Sequence, residues 1–261
     1  MEEHRNVNIN NYKVKDNKKT IRNIIITIFL IGFFVFWWYI YPATVPYKNN
    51  GLIYYDPLRY PDEQGNMRPI IHLYSDEDKE VKITMSNPEK LVYSNPEYNN
   101  YWMVKTKKKH SYKTPAGTVV IPDDYLEDEN GNIISVLSWG IEEYGDNKIK
   151  EEGFVIKGKN TGRFLDNKLS LLGLNFEEKN EFLSYLLPEL EKNKYNYIRF
   201  QTMEEINNNM ELFIEPKPDT LIRIMMEYKP LDKKIKVKQQ ELTKVERKGY
   251  TVVEWGGTKI N

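Results

Sequence analysis

Chemistry in this chain would have to come from a short set of side chains. Three histidines are present, and the two beyond the first few residues, His72 and His110, are far apart in sequence and in unlike settings. His72 alternates with apolar residues in Ile70-Ile71-His72-Leu73-Tyr74, as an ordinary strand histidine does. No His-x-x-x-His pair, no Gly-x-Ser-x-Gly string and no phosphate-binding glycine loop occurs. Cysteine is absent, which removes thiolate nucleophiles, disulfides and thiolate metal sites. No cofactor and no metal site is expected. Paired carboxylates remain, and cleavage of a glycan needs two about 5–10 Å apart. Glu97, Glu142, Asp219 and Glu254 lie near aromatics or turns, and Glu97 and Glu254 are the weak catalytic candidates, although 38 acidic residues make such adjacency common. No catalytic residue is assignable on this basis.

One basic run stands out: Lys105, Lys107, Lys108 and Lys109, just after Tyr101 and Trp102. A basic and aromatic pairing on an outward-facing domain suits an anionic wall polymer or lipid headgroups. The same run also suits a charged edge that blocks aggregation. The acidic stretch Asp123, Asp124, Glu127, Asp128 and Glu129 precedes an Asn130-Gly131 turn. It lacks the ligand spacing of an EF-hand and reads as a solvated hairpin.

These residues depend on the elements that carry them, and the clearest element is Ile24–Tyr41, 18 residues without a charge. As a helix it spans roughly 27 Å, close to the thickness of a bilayer core. Residues 1–23 hold six Lys or Arg against three acids, a charge of +3. Positive charge stays inside, so the expected arrangement is an N-terminal cytoplasmic tail, a single-pass signal-anchor at 24–41 and the remainder outside the cell membrane. Trp37, Trp38, Tyr39 and Tyr41 suit the outer interface. The overall net charge of zero gives no basic footprint for nucleic acid.

Residues 42–69 read as a proline-interrupted stalk, and 70–261 as an α+β ectodomain. Its first part, 70–157, is β-rich, with alternation at Val81, Ile83 and Met85 and further strands at Leu91–Tyr93, Trp102–Val104, Ile133–Trp139 and Phe154–Ile156. Its second part, 158–261, opens on a helical pair. Phe164, Leu165, Leu169 and Leu172 recur at helical spacing between Thr161, read as the N-cap, and Gly173. Asn175 and Glu178 form a capping-box pattern before a helix lined by Phe176, Leu183, Leu186, Leu187 and Leu190, with Pro188 expected to bend or end it. A mostly antiparallel sheet follows, with strands at Tyr195–Phe200, Met210–Ile214, Leu221–Tyr228, Ile235–Lys238 and Tyr250–Glu254. One domain or two is left open by the pattern.

Several strings are more distinctive than any catalytic motif. They are Tyr93-Ser94-Asn95-Pro96-Glu97-Tyr98-Asn99-Asn100-Tyr101-Trp102, Leu137-Ser138-Trp139, Pro216-Lys217-Pro218-Asp219 and Val252-Val253-Glu254-Trp255-Gly256-Gly257. Over roughly residues 69–261 they resemble a mostly bacterial, surface-attached family of uncharacterised proteins. Its members carry a "KPVIYLYP"-like opening, a "YPEYNxGW"-like stretch and a "VVEWGG"-like end. The resemblance implies surface attachment and no established activity. Two departures are visible: the opening lacks its second proline, and Gly140 follows Trp139 where the pattern has a glutamate. Trp139 and Trp255 suit core anchors, and Gly256-Gly257 a tight turn or close backbone approach. The expected function is that of a membrane-anchored ectodomain binding an envelope protein or anionic wall polymer. The alternatives are a carboxylate-dependent hydrolase of surface polymer and a structural envelope component.

Overall fold

A computed structural model describes residues 27, 66–107, 111–114, 117–120, 125–142, 144 and 148–261. The chain divides into two units, Met1–Lys48 and Asn49–Asn261, and all described residues but Thr27 belong to the second. Apart from Thr27, which is helical, the 24–41 segment lies outside the described residues, as do residues 42–65, Lys108, Lys109, His110, Asp123 and Asp124. Among the described residues no helix is long and apolar enough to cross a membrane.

The described unit is α+β with a mostly antiparallel sheet and three helices. Its strands are β1 (Met67–Tyr74), β2 (Lys79–Met85), β3 (Leu91–Asn95), β4 (Trp102–Lys107), β5 (Ser111–Thr114), β6 (Gly117–Val120), β7 (Tyr125–Asp128), β8 (Ile133–Ile134), β9 (Leu137–Ile141) and β10 (Glu152–Lys157). After α1 (Thr161–Leu171) and α2 (Phe176–Leu190) come β11 (Tyr195–Phe200), α3 (Met203–Asn209), β12 (Leu212–Glu215), β13 (Thr220–Leu231), β14 (Lys238–Gln239) and β15 (Thr251–Lys259). The large sheet has eight strands in the order β14-β10-β11-β13-β15-β1-β9-β3. A second sheet has the order β12-β2-β4-β7-β8, and β5 pairs with β6. Strands from both halves of the sequence interleave in the large sheet. β13 and β15 run parallel, so the chain between them must cross back over residues 232–250.

Strand alternation divides the large sheet into two packed faces. On one, Ile70, Ile198, Ile222, Ile224, Met226, Val253 and Trp255 meet Leu165 and Leu169 of α1 and Phe182, Leu186 and Leu190 of α2. On the other, Ile71, Leu73, Leu137, Trp139, Met225 and Val252 meet Val81, Ile83, Trp102, Val104 and Leu126 of the second sheet, together with Ile206 of α3. Burial of such side chains stabilises by about 1.5–3 kcal/mol each, so both layers are tied firmly to the central sheet.

The helices form largely where helical spacing predicts them, with three differences. Thr161 is the first helical residue and Asn160 the cap. Gly173 ends α1 in the left-handed region (φ +97), with Leu174 N–H donating to Leu169 O and Gly173 N–H to Ser170 O, the paired bonds of a Schellman stop. In α2 the Asn175–Glu178 capping box is present. Pro188 does not end α2, which runs on to Leu190 because Leu186 and Leu190 are both fully buried. The buried stripe is Glu178, Phe182, Leu186 and Leu190, four residues apart, which turns Phe176 outward. The 133–139 stretch splits into β8 and β9, and of 235–238 only Lys238 is in a strand.

Candidate functional site: a basic groove at the edge of the large sheet

Outside β10 the sheet is almost open. β14 pairs only with Glu152 and Gly153, so among the described residues no strand covers the outer side of Val155, Ile156 and Lys157. Two adjoining cavities of about 580 and 490 Å³ occupy this edge. Val155, Ile156 and Lys234 line both. The first also takes Lys157, Lys159 and Arg163, with Asn160, Asn167 and Tyr195 as neutral hydrogen-bonding groups. The second adds Lys236 and Gln239 between Ile235 and Val237.

Three separate elements therefore converge on one groove: the end of β10, the first turns of α1, and the segment that leaves β13. Phe164 of the first cavity and Phe154 of the second pack with ring centres 4.9 Å apart, and the Lys168 ammonium stands 5.0 Å from the Phe154 ring centre. Among the described residues no acidic side chain lines either cavity. Ion pairs among the described residues engage other cations, such as Lys79, Lys107, Lys179, Arg199, Arg223 and Arg247. Five exposed cations, with no carboxylate of the described residues among them, make a positive field that an anion would neutralise.

The residues that the sequence singles out lie elsewhere. Glu254 is fully buried on β15. The Trp139 indole N–H donates to its Oε1 at 2.6 Å, and Arg223 Nε–H donates to its Oε2 at 2.5 Å. Arg223 also donates to Asn207 Oδ1 at 2.7 Å and to the Met210 carbonyl at 2.8 Å. Both carboxylate oxygens are thus engaged in holding the Met203–Met210 segment to the sheet. Glu97 is exposed, two residues beyond β3. β3 and β15 are separated by β9 and β1, three strand spacings or roughly 14 Å. A paired-carboxylate centre is not assembled from these two.

Trp102 is only 3% exposed; its indole N–H donates to the Pro96 carbonyl at 2.9 Å, and it packs edge-on against Tyr98. It anchors a loop and presents no face to a ligand. Lys107 pairs with Asp78 at 3.2 Å and Glu127 at 3.5 Å, and the Asp78 hydrogen bond raises its pKa. Lys105 is exposed. His72 stacks on Tyr74 and Trp255, with Nε2 3.4 Å from Glu181. Asp128 builds the β7–β8 turn by accepting from Asn130 N–H, Asn132 N–H and the Asn132 amide. Burial works against its charge, but these bonds prevail and hold its carboxyl below the usual range. No group of three His, Asp or Glu side chains among the described residues is placed to hold a metal ion.

A second buried network lies on the same face. Arg199 pairs with Glu205 at 2.6 Å and Glu227 at 3.1 Å, and Gln201 donates to Glu227. Burial alone would raise the Glu205 pKa, but the Arg199 contact outweighs it and lowers it. Both networks tie α3 to the sheet.

Sequence reasoning misses the groove because its cations come from two short clusters, Lys157–Arg163 and Lys233–Lys238, each less conspicuous than the 105–109 run. The alternation Lys234-Ile235-Lys236-Val237-Lys238 was the available signal. Comparison with known proteins finds no matching family model, curated protein or solved structure.

Proposed function

We propose that this is a single-pass membrane-anchored protein whose ectodomain binds an anionic partner at the cell envelope. The observation that carries the binding reading is the groove beside β10, where Lys157, Lys159, Arg163, Lys234 and Lys236 surround space that no acidic side chain of the described residues enters. The anchor rests on the uncharged 24–41 segment and the +3 tail before it, and the envelope setting on the outward topology these imply. The resemblance to surface-attached proteins agrees with that setting. The contact surface moves from the 105–109 run to the groove, since Lys107 is already paired and Trp102 is buried. Full engagement of Glu254 favours binding over polymer hydrolysis.

The test uses the full-length chain. In cells it should stay with membranes through alkaline washing, and deletion of residues 24–41 should release it. Added protease should cut the 43–261 portion on intact cells. Detergent-solubilised protein should be retained on isolated envelopes at low salt and lost as salt rises, because exposed charges are screened over about 8 Å at physiological ionic strength. Retention that is indifferent to a Lys157→Glu, Arg163→Glu double substitution would remove the groove from the reading.

A further inference from the structure

The groove is more than a patch of charge. Among the described residues it joins three features: a strand edge that β14 leaves open past Gly153, cations on both walls, and apolar side chains between the cations. Val155, Ile156, Ile235 and Val237 line it together with Lys234 and Lys236. A polymer carrying only phosphates would find no use for four aliphatic side chains and the Phe154–Phe164 pair. An extended peptide uses both, because alternate side chains in a strand point to opposite sides. The edge is suitably oriented as well. The Gly153 carbonyl points toward β14 and accepts from Gln240 N–H. Two residues on, Val155 presents its backbone groups to the same side, where β14 has already ended. Natural sheets often protect such edges with lysine, yet here the lysines ring a cavity instead of standing on a flat rim.

We infer that the groove accepts an acidic polypeptide segment as an added strand on β10, its aspartate or glutamate side chains meeting Lys157, Arg163, Lys234 and Lys236 and its intervening apolar side chains packing on Val155, Ile235 and Val237. This rests on the groove being the binding site proposed above and names its occupant. Main-chain hydrogen bonds to the β10 edge supply part of the affinity, and charge and apolar alternation supply selectivity. The other occupant of the same charge, a phosphate-bearing polymer, becomes an outcome of the test.

The experiment measures fluorescence anisotropy with the full-length chain in detergent micelles. The probes are a labelled peptide alternating aspartate and valine, its asparagine–valine counterpart, and labelled inorganic polyphosphate. The aspartate peptide should bind about tenfold or more tightly than the asparagine peptide, and Lys234→Glu and Lys236→Glu should each weaken it by about tenfold, as loss of a charge-assisted contact does. Val155→Pro, which removes an edge N–H, should weaken the peptide and leave polyphosphate unchanged. Melting curves identify any variant that fails to fold, and the two exposed lysine variants keep the test decisive if Val155→Pro does. Equal binding of the two peptides, or aspartate-peptide binding untouched by both lysine reversals, overturns the inference. Polyphosphate binding without peptide binding overturns the peptide and leaves the anionic groove standing. Absence of binding by all probes overturns both.

Discussion

At the scale of single residues, the buried charges decide most. Glu254 meets Arg223 and Trp139 without access to water. Removing one partner of such a pair leaves an uncompensated charge, so Glu254→Gln should destabilise by about 3–5 kcal/mol in urea denaturation. Replacing Glu254 and Arg223 together with leucine and methionine should cost much less than the two single changes combined, and a double-mutant cycle measures the difference. Glu205 gives a pH signature. Its pKa is lower in the folded state, so the stability from its contact with Arg199 is complete above the unfolded value near about 4.3 and is lost as pH falls through the folded value. Wild type should therefore exceed Glu205→Gln in melting temperature at neutral pH, and the gap should close on acidification. Glu254 was legible in the sequence as a carboxylate beside a tryptophan, but the wrong tryptophan. Its neighbour Trp255 packs toward the helices against Phe182 at 5.4 Å, while its actual partners, Trp139 and Arg223, come from β9 and β13. Chain adjacency shows nothing of cross-sheet register, and register is what made the pair.

At the scale of elements, local signals proved reliable when they were long or reciprocal. The Asn175–Glu178 capping box and the four-residue stripe of α2 are both present. The same box recurs at Thr202–Glu205, where Thr202 Oγ1 accepts from Glu205 N–H, yet α3 has only seven residues and offers too little periodicity to be read. Thr202→Ala should cost about 1 kcal/mol in a thermal or urea melt. Gly256 and Gly257, read as a turn or a close approach, lie inside β15 and serve close approach. A Cβ on Gly257 would sit 3.3 Å from Leu186 Cδ1, so this glycine lets α2 lie near the sheet. Gly257→Val should overpack that contact and destabilise by about 1–3 kcal/mol. β2, which buries one face, was legible from alternation, and β13, buried on both faces, from its run of apolar residues. β5, β6 and β7 were not, since strands of only four residues carry little period-two signal.

At the scale of the whole molecule, α+β class and a mostly antiparallel sheet follow from the pattern of elements, but their order in space does not. Parallel pairing of β13 with β15 and the interleaving of both halves are long-range facts that no local window contains. The groove belongs to the same category, since its walls are some seventy residues apart in the chain. The position of β15 has a further effect, on how the protein is made. Among the described residues it is the last strand yet lies between β13 and β1, and so is the seam joining β14-β10-β11-β13 to β1-β9-β3. A nascent chain emerging N-terminus first cannot close its central sheet until β15 itself has emerged. Before then, two half-sheets expose unpaired edges. Chains stopped at residue 250 should therefore be rapidly degraded or held by chaperones, and limited proteolysis should find them open throughout. The presence of β15 works in effect as the quality check on synthesis, with the Thr258 hydroxyl donating to Asn66 Oδ1 as the strand is fastened.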